Sequence, residues 1–124
     1  DVIEGQGSLF HPSYAAVTLG LLHGSQPDVI VLCHMPGRST ILGRPNHALP
    51  PLDVAIEQYL VAGRLTNPSI RCGGISLNTS ALDAAAAADE LARVEDIYGL
   101  PTADPIRGGA ALARLIDHCL AFAI

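Results

Sequence analysis

The sequence predicts an α/β fold, a parallel doubly wound sheet with helices on both faces, and three observations carry that reading. Apolar strand-like runs alternate with helical stripes along the chain. Val29-Ile30-Val31-Leu32-Cys33 is an unbroken β-branched run without polar alternation, the pattern of a strand covered on both faces. Polar and glycine residues collect just after the runs, where open parallel sheets bind ligands.

Taken in order, Val2-Ile3 reads as the end of a first strand, which empties into Glu4-Gly5-Gln6-Gly7-Ser8-Leu9-Phe10-His11-Pro12. Ala15 to Leu22 suits a short helix on a sheet, ended by His23-Gly24-Ser25-Gln26-Pro27, with Gly24 as its C-terminal cap. The strand of residues 29–33 leads into a long Pro, Gly and Asn-rich loop running to Pro51. From Leu52 to Leu65 a helical stripe follows, with Asp53 and Glu57 near its start, where the dipole favours acids. Asn67-Pro68 breaks it. Residues 70–77 form a strand weakened by Gly73-Gly74, and Ser80 is placed to cap a helix over 82–98 whose alanine run gives high intrinsic propensity. Thr102-Ala103-Asp104 is a short edge strand, and Gly108-Gly109 introduces a last helix with Leu112, Leu115, Ile116 and Leu120 on one face.

With 124 residues the chain suffices for one domain, residues 1–124, with a real core. The formal charge is −5 and the seven basic residues are scattered, all of them arginine, so no nucleic-acid surface is expected. No apolar run reaches the ~20 residues that span a bilayer, so no membrane partner is expected either. Cys33, Cys72 and Cys119 have no CxxC spacing, which makes buried free thiols in a reducing cytoplasm the expectation. His47 and His118 read as solvated loop and helix positions, and His23 as a dipole-favoured helix end. The chain opens without methionine on a strand already under way, and a fragment of a longer protein is expected from that.

The strand ends gather one constellation: Glu4, Ser8 and His11, then His34 and Arg38, then Asn78, then Asp104 and Arg107. Each residue has a chemical and a structural alternative. Glu4, freed by Gly5 and Gly7 to approach a ligand, either faces a metal-bound phosphate or caps a turn. His11 is either an acid/base or a ring satisfied by backbone. His34 and Arg38 suit a clamp on phosphate or carboxylate, arginine being shaped for bidentate anion binding. Asn78 either reads a purine edge or substrate amide, or caps its helix. Arg107 either binds ligand or pairs with Asp104 or Glu4. The GxSxG elbow, the HExxH spacing and the GxxxxGK[ST] phosphate loop are absent from these residues.

The run from Glu4 to Tyr14, with Leu21 to Asp28, Leu32 to Arg38, Gly74 to Ser80 and Leu100 to Gly108, closely resembles the C-terminal part of the DgcN-like family, formerly a domain of unknown function. The resemblance implies a two-domain protein, Rossmann-like then P-loop NTPase-like, with this chain matching the latter half of the second domain. It also implies D-glutamate N-acetyltransferase activity with acetyl-CoA as cosubstrate. In that reading His34 or His11 accepts the amine proton, while Arg38 or Arg107 holds a substrate carboxylate. The small-molecule partner is D-glutamate or a similar amino acid, the other partner is the N-terminal remainder of the same protein, and a homo-oligomer is expected. More distantly, the Glu4-Gly5-Gly7 loop and Asn78 resemble the acid-and-glycine loop and adenine-contacting asparagine of dethiobiotin synthetase. That likeness implies an ATP- or GTP-dependent enzyme with Mg2+ on Glu4. A non-catalytic nucleotide-sensing module is a third alternative.

Overall fold

The computed structural model describes residues 1–5 and 7–122. Gln6 of the opening loop lies outside the described residues, as do positions 123 and 124. The described chain is α/β, with four helices and a three-stranded parallel sheet. It divides into two compact units, Asp1–Asp28 with Arg38–Ile70, and Val29–Gly37 with Arg71 onward.

In the first unit, α1 (Ala15–Ser25) packs on α2 (Leu52–Arg64), with Leu22 and Ala55 buried. His23 Nε2 donates to the Ala62 carbonyl at 2.8 Å, so this ring ties the two helices together instead of merely complementing a dipole. The helix does not stop at Gly24. Gln26 takes the left-handed conformation, φ 48°, and its N–H donates to the Leu22 carbonyl, after which Pro27 bars continuation. Asn67 then donates to the carbonyls of Gln26 and Pro27, at 3.2 and 3.0 Å, and clips the ends of the two helices.

Two expectations about this unit are corrected. Val2-Ile3 is no strand: Val2 is 101 % exposed and Ile3 is exposed too, and a two-residue apolar stub has no ladder partner among the described residues. The loop expected up to Pro51 instead contains a hairpin, β2 (Thr40–Ile41) and β3 (Arg44–Ala48), antiparallel about Leu42-Gly43 with Gly43 at φ 73°.

The second unit is the sheet, in the order β1 (Val29–His34), β4 (Arg71–Leu77), β5 (Thr102–Ala103), all parallel. α4 (Gly109–Leu120) packs on β4 and β5, and α3 (Ala84–Tyr98) packs on β5. Ile75, Leu77, Ala87, Val94, Ala103 and Leu115 form the buried apolar core. On the last helix only Leu115 of the expected stripe is buried; Ile116 and Leu120 are exposed.

The adjacent glycines that weaken β4 as a sequence are what allow this packing. Ile30 pairs with Cys72 but Val31 pairs with Gly74, so Gly73 is the extra residue of a β-bulge. A Cβ on Gly73 would lie 2.5 Å from Cys119 Sγ, and one on Gly74 would lie 2.5 Å from the Pro101 oxygen and collide with Leu115. Bare backbone at both positions lets α4 seat directly on the strand.

The thiols are not buried as expected: Cys33 is exposed, and Cys72 and Cys119 are half-buried, none of the three in a disulfide. β1 is an edge of the sheet, so an unalternated apolar run is here only partly covered. Burial nonetheless raises the Cys72 and Cys119 thiols above the usual range, which favours their protonated form. His118 is no solvated position either. Its Nδ1 donates to the Gly73 carbonyl at the bulge, 2.8 Å, and its ring meets Phe122 edge-on.

Candidate functional site

Because β1, β4 and β5 are parallel neighbours in register, their carboxyl ends fall together, with His34 opposite Leu77 and Ser76 opposite Ala103. His34 ends β1, Asn78 follows β4 and Asp104 follows β5, so within this unit the predicted edge is real. The Asn78 N–H donates to the His34 carbonyl at 2.8 Å, joining the first two.

The third joins through a network that centres on Asp104, a side chain with only 3 % of its surface exposed. Its Oδ2 accepts from the Thr79 N–H at 2.9 Å and the Thr79 hydroxyl at 2.5 Å. Its Oδ1 accepts from the N–H groups of Ile106 and Arg107, at 2.8 and 3.3 Å. Arg107 closes the circuit. Its Nε donates to Thr79 Oγ1 at 2.7 Å, and Nη2 donates to the carbonyls of Thr79 and Leu82, at 3.2 and 2.7 Å. Burial by itself would raise the Asp104 carboxyl, but the bonds from Thr79, Ile106 and Arg107 outweigh it and hold the group below the usual carboxylate range. This buried charge is satisfied on both oxygens and faces a guanidinium 3.8 Å away.

Two expectations change accordingly. Arg107 is bound into the scaffold beside Asp104, the structural alternative of the two. Ser80 does not cap α3. The Leu82 N–H returns to the Thr79 carbonyl and the Leu82 carbonyl accepts from Arg107, so residues 79–82 are held as a turn and the helix starts at Ala84. Asp83 is the cap, its carboxylate accepting from the Ala86 N–H at 2.8 Å. Asn78 caps no helix. Its Oδ1 accepts from the Ser80 N–H at 3.1 Å in a local turn, and the residue is exposed.

The remaining candidates belong to the first unit. Glu4 and Gly5 are exposed, and Gly7 has φ 143° with its Cα against Tyr14, where a Cβ would stand 2.9 Å from the tyrosine Cβ. Ser8 Oγ accepts from the Phe10 N–H at 3.2 Å, and the Leu9 N–H donates to the Tyr59 hydroxyl at the same distance. His11 Nδ1 accepts from the Ser13 N–H at 3.1 Å while the ring lies against Tyr14. Since a backbone N–H only donates, Nδ1 must carry the lone pair, and the neutral ring bears its proton on Nε2. Arg38 starts the chain's return to this unit and is exposed, and Arg44 on the hairpin donates to the Ser13 hydroxyl.

Among the described residues no group of three or more His, Cys, Asp and Glu is arranged to hold a metal. Glu4 is thus a lone carboxylate, which fits Mg2+ only where phosphates and waters complete the shell. A groove of about 460 Å3 between α3 and α4 is lined by Leu91, Glu95, Thr102 and Arg114. It lies at the amino end of β5, away from Asp104, and is spanned by the Arg114–Glu95 ion pair at 3.1 Å. No helix among the described residues is long and apolar enough to cross a membrane.

The family model for the domain of unknown function DUF1611_C, described as a P-loop domain, matches residues 1–115. A D-glutamate N-acetyltransferase of a Pseudoalteromonas species is 44 % identical over 109 residues, 88 % of this chain and 33 % of that protein. Another of that name, from Tritonibacter scottomollicae, is 44 % identical over 117 residues, 94 % of this chain and 34 % of that protein. The crystal structure of a DUF1611 family protein from Anabaena variabilis superposes with a TM-score of 0.86 at 36 % identity, covering 96 % of this chain and 34 % of that one. The chain therefore spans about a third of the length of the relatives it matches.

Proposed function

The chain belongs to the DUF1611 family, through its C-terminal P-loop domain, and from that membership we propose that it is part of an enzyme that transfers acetyl from acetyl-CoA to the amine of D-glutamate. The observation that carries the reading is 44 % identity to two proteins named for that activity, over nearly all of this chain. The chemistry asks for few groups. The substrate nitrogen attacks the thioester carbonyl carbon, a C–N bond forms, the C–S bond breaks, and the proton lost by the amine ends on the departing thiolate. One base that accepts and returns a proton serves both halves.

Of the two histidines proposed as that base, His34 is favoured. The lone pair of His11 on Nδ1 is already spent on the Ser13 N–H, which leaves Nε2 as a donor. His34 stands at the carboxyl end of β1 beside Asn78, the side of a parallel sheet where ligands bind. Arg38 is assigned to a carboxylate of D-glutamate, which its planar fork matches in bidentate fashion. Asn78 is assigned to the cosubstrate. Arg107 is left to the scaffold, because three of its donor contacts are made to Thr79 and Leu82.

The description of the family's domain as P-loop favours a second reading, a nucleotide-dependent enzyme with Glu4 toward a Mg2+-bound phosphate. The seven basic residues of this chain are all arginine, so a phosphate-loop lysine would have to come from outside these 124 residues. Titration of the full-length protein separates the readings. Saturable acetyl-CoA binding without phosphate release from ATP and Mg2+ is the expected result; Mg2+-dependent ATP hydrolysis with no acetyl-CoA binding would overturn the acyl-transfer reading.

A further inference from the structure

Asp104 has no counterpart in the reaction just described, yet its buried carboxylate is bonded on both oxygens. Four donors converge on its two oxygens, and two of the four come from Thr79, the residue next to Asn78. Arg107 holds the same residue from the other side, by its hydroxyl and its carbonyl. Thr79 itself is fully buried, so its backbone has no freedom to swing. The Asn78 N–H is fixed on the His34 carbonyl, and Asn78 Oδ1 is engaged by the Ser80 N–H. Residues 78–80 are thus held by hydrogen bonds to β1, within their own turn, to Leu82 and to the Asp104–Arg107 pair.

The turn also decides how Asn78 meets a ligand. The Ser80 N–H needs an acceptor and the –NH2 of an amide only donates, so this contact fixes the Asn78 oxygen as the end that faces the chain. The –NH2 end keeps its donors, and the residue is exposed. From this arrangement we propose that Asp104 and Arg107 are positioning residues, which hold the exposed Asn78 amide as a hydrogen-bond donor toward an acceptor atom of the acetyl-CoA cosubstrate. A ring nitrogen or an oxygen is the matching class of acceptor. The inference rests on the acetyl-transfer reading and assigns Asp104, on β5, to cosubstrate affinity while leaving the chemical step to β1.

Isosteric replacement tests it. Asp104→Asn keeps the shape but accepts on one oxygen only, so half of the four N–H and O–H donors lose their partner. Thr79→Val removes the shared hydroxyl, and Thr79→Ser retains it. The readouts in full-length protein are the Kd of acetyl-CoA, the KM for D-glutamate and kcat. Asp104→Asn and Thr79→Val are expected to weaken acetyl-CoA binding roughly tenfold, the worth of one well-placed hydrogen bond. The KM for D-glutamate and kcat stay within about twofold, as uniform binding loss requires, and Thr79→Ser recovers wild-type affinity. Asp83→Ala, which removes the cap of α3 without touching the Asn78 turn, serves as the control for lowered stability and should leave the Kd unchanged.

Unchanged acetyl-CoA affinity in Asp104→Asn and Thr79→Val would overturn the proposal, and so would an equal loss of affinity in Asp83→Ala. Should the wild-type protein bind acetyl-CoA but fail to acetylate D-glutamate, the acetyl-transfer reading fails while the Kd comparison still decides the positioning claim. Binding of no acetyl-CoA by the wild type overturns both.

Discussion

Asp104 shows how a single side chain ties stability to pH. Its folded carboxyl sits below the ordinary range because Thr79, Ile106 and Arg107 stabilise the charged form against the burial that opposes it. The unfolded chain takes up the proton first, near the ordinary aspartate value of about 3.9. Stability from this group is therefore complete above that pH and is lost as the pH falls through it toward the folded value. Urea melts across the acid range should show the wild type losing stability below about pH 4, and Asp104→Asn losing less over the same window. At neutral pH the Asn variant should be less stable by about 3 kcal/mol, since it leaves buried donors unpaired. Equal acid slopes for the two proteins would contradict the assignment. Little of this was legible beforehand. Asp104 and Arg107 stand out as polar residues after a strand-like run, but their partner Thr79 is 25 and 28 residues away, and a threonine beside an asparagine carries no periodic signal.

At the scale of elements, the runs with strong period were readable: β1, α2 and β4 lie within one residue of the ranges expected from apolar spacing. The misses share a cause, in that local composition says nothing about neighbours. β3 contains Arg44, Pro45, Asn46 and His47, none a strand former, and it exists because β2 offers a partner across a tight turn. Val2-Ile3 has the composition of a strand and no ladder partner among the described residues. Gly73-Gly74 looked like a defect, and is the seat of α4. A sharp consequence follows for Gly74, whose φ of 158° suits few other residues. Gly74→Ala forces a methyl against Leu115 and the Pro101 carbonyl and should cost about 3 kcal/mol in thermal or denaturant unfolding. A change below about 0.5 kcal/mol would mean that α4 does not rest on the strand as described.

For the molecule as a whole, the resemblance seen in Glu4–Tyr14, Leu32–Arg38 and Leu100–Gly108 is matched by a family model over residues 1–115 and by relatives at 44 % identity. The sheet edge supplies what pattern alone cannot: which polar residues are spent on the frame. Asp104 and Arg107 are spent on the frame and Asn78 Oδ1 on the Ser80 turn, while the proposed base, His34, stands at the carboxyl end of β1. The central claim is acetyl transfer to D-glutamate, and the most direct test is release of CoA thiol from acetyl-CoA by the full-length protein, followed with and without D-glutamate. Thiol release that depends on D-glutamate, yields the N-acetylated amino acid, and falls by about 10²-fold or more in His34→Ala is the predicted result. Release that is independent of D-glutamate, or unchanged in His34→Ala, would contradict it.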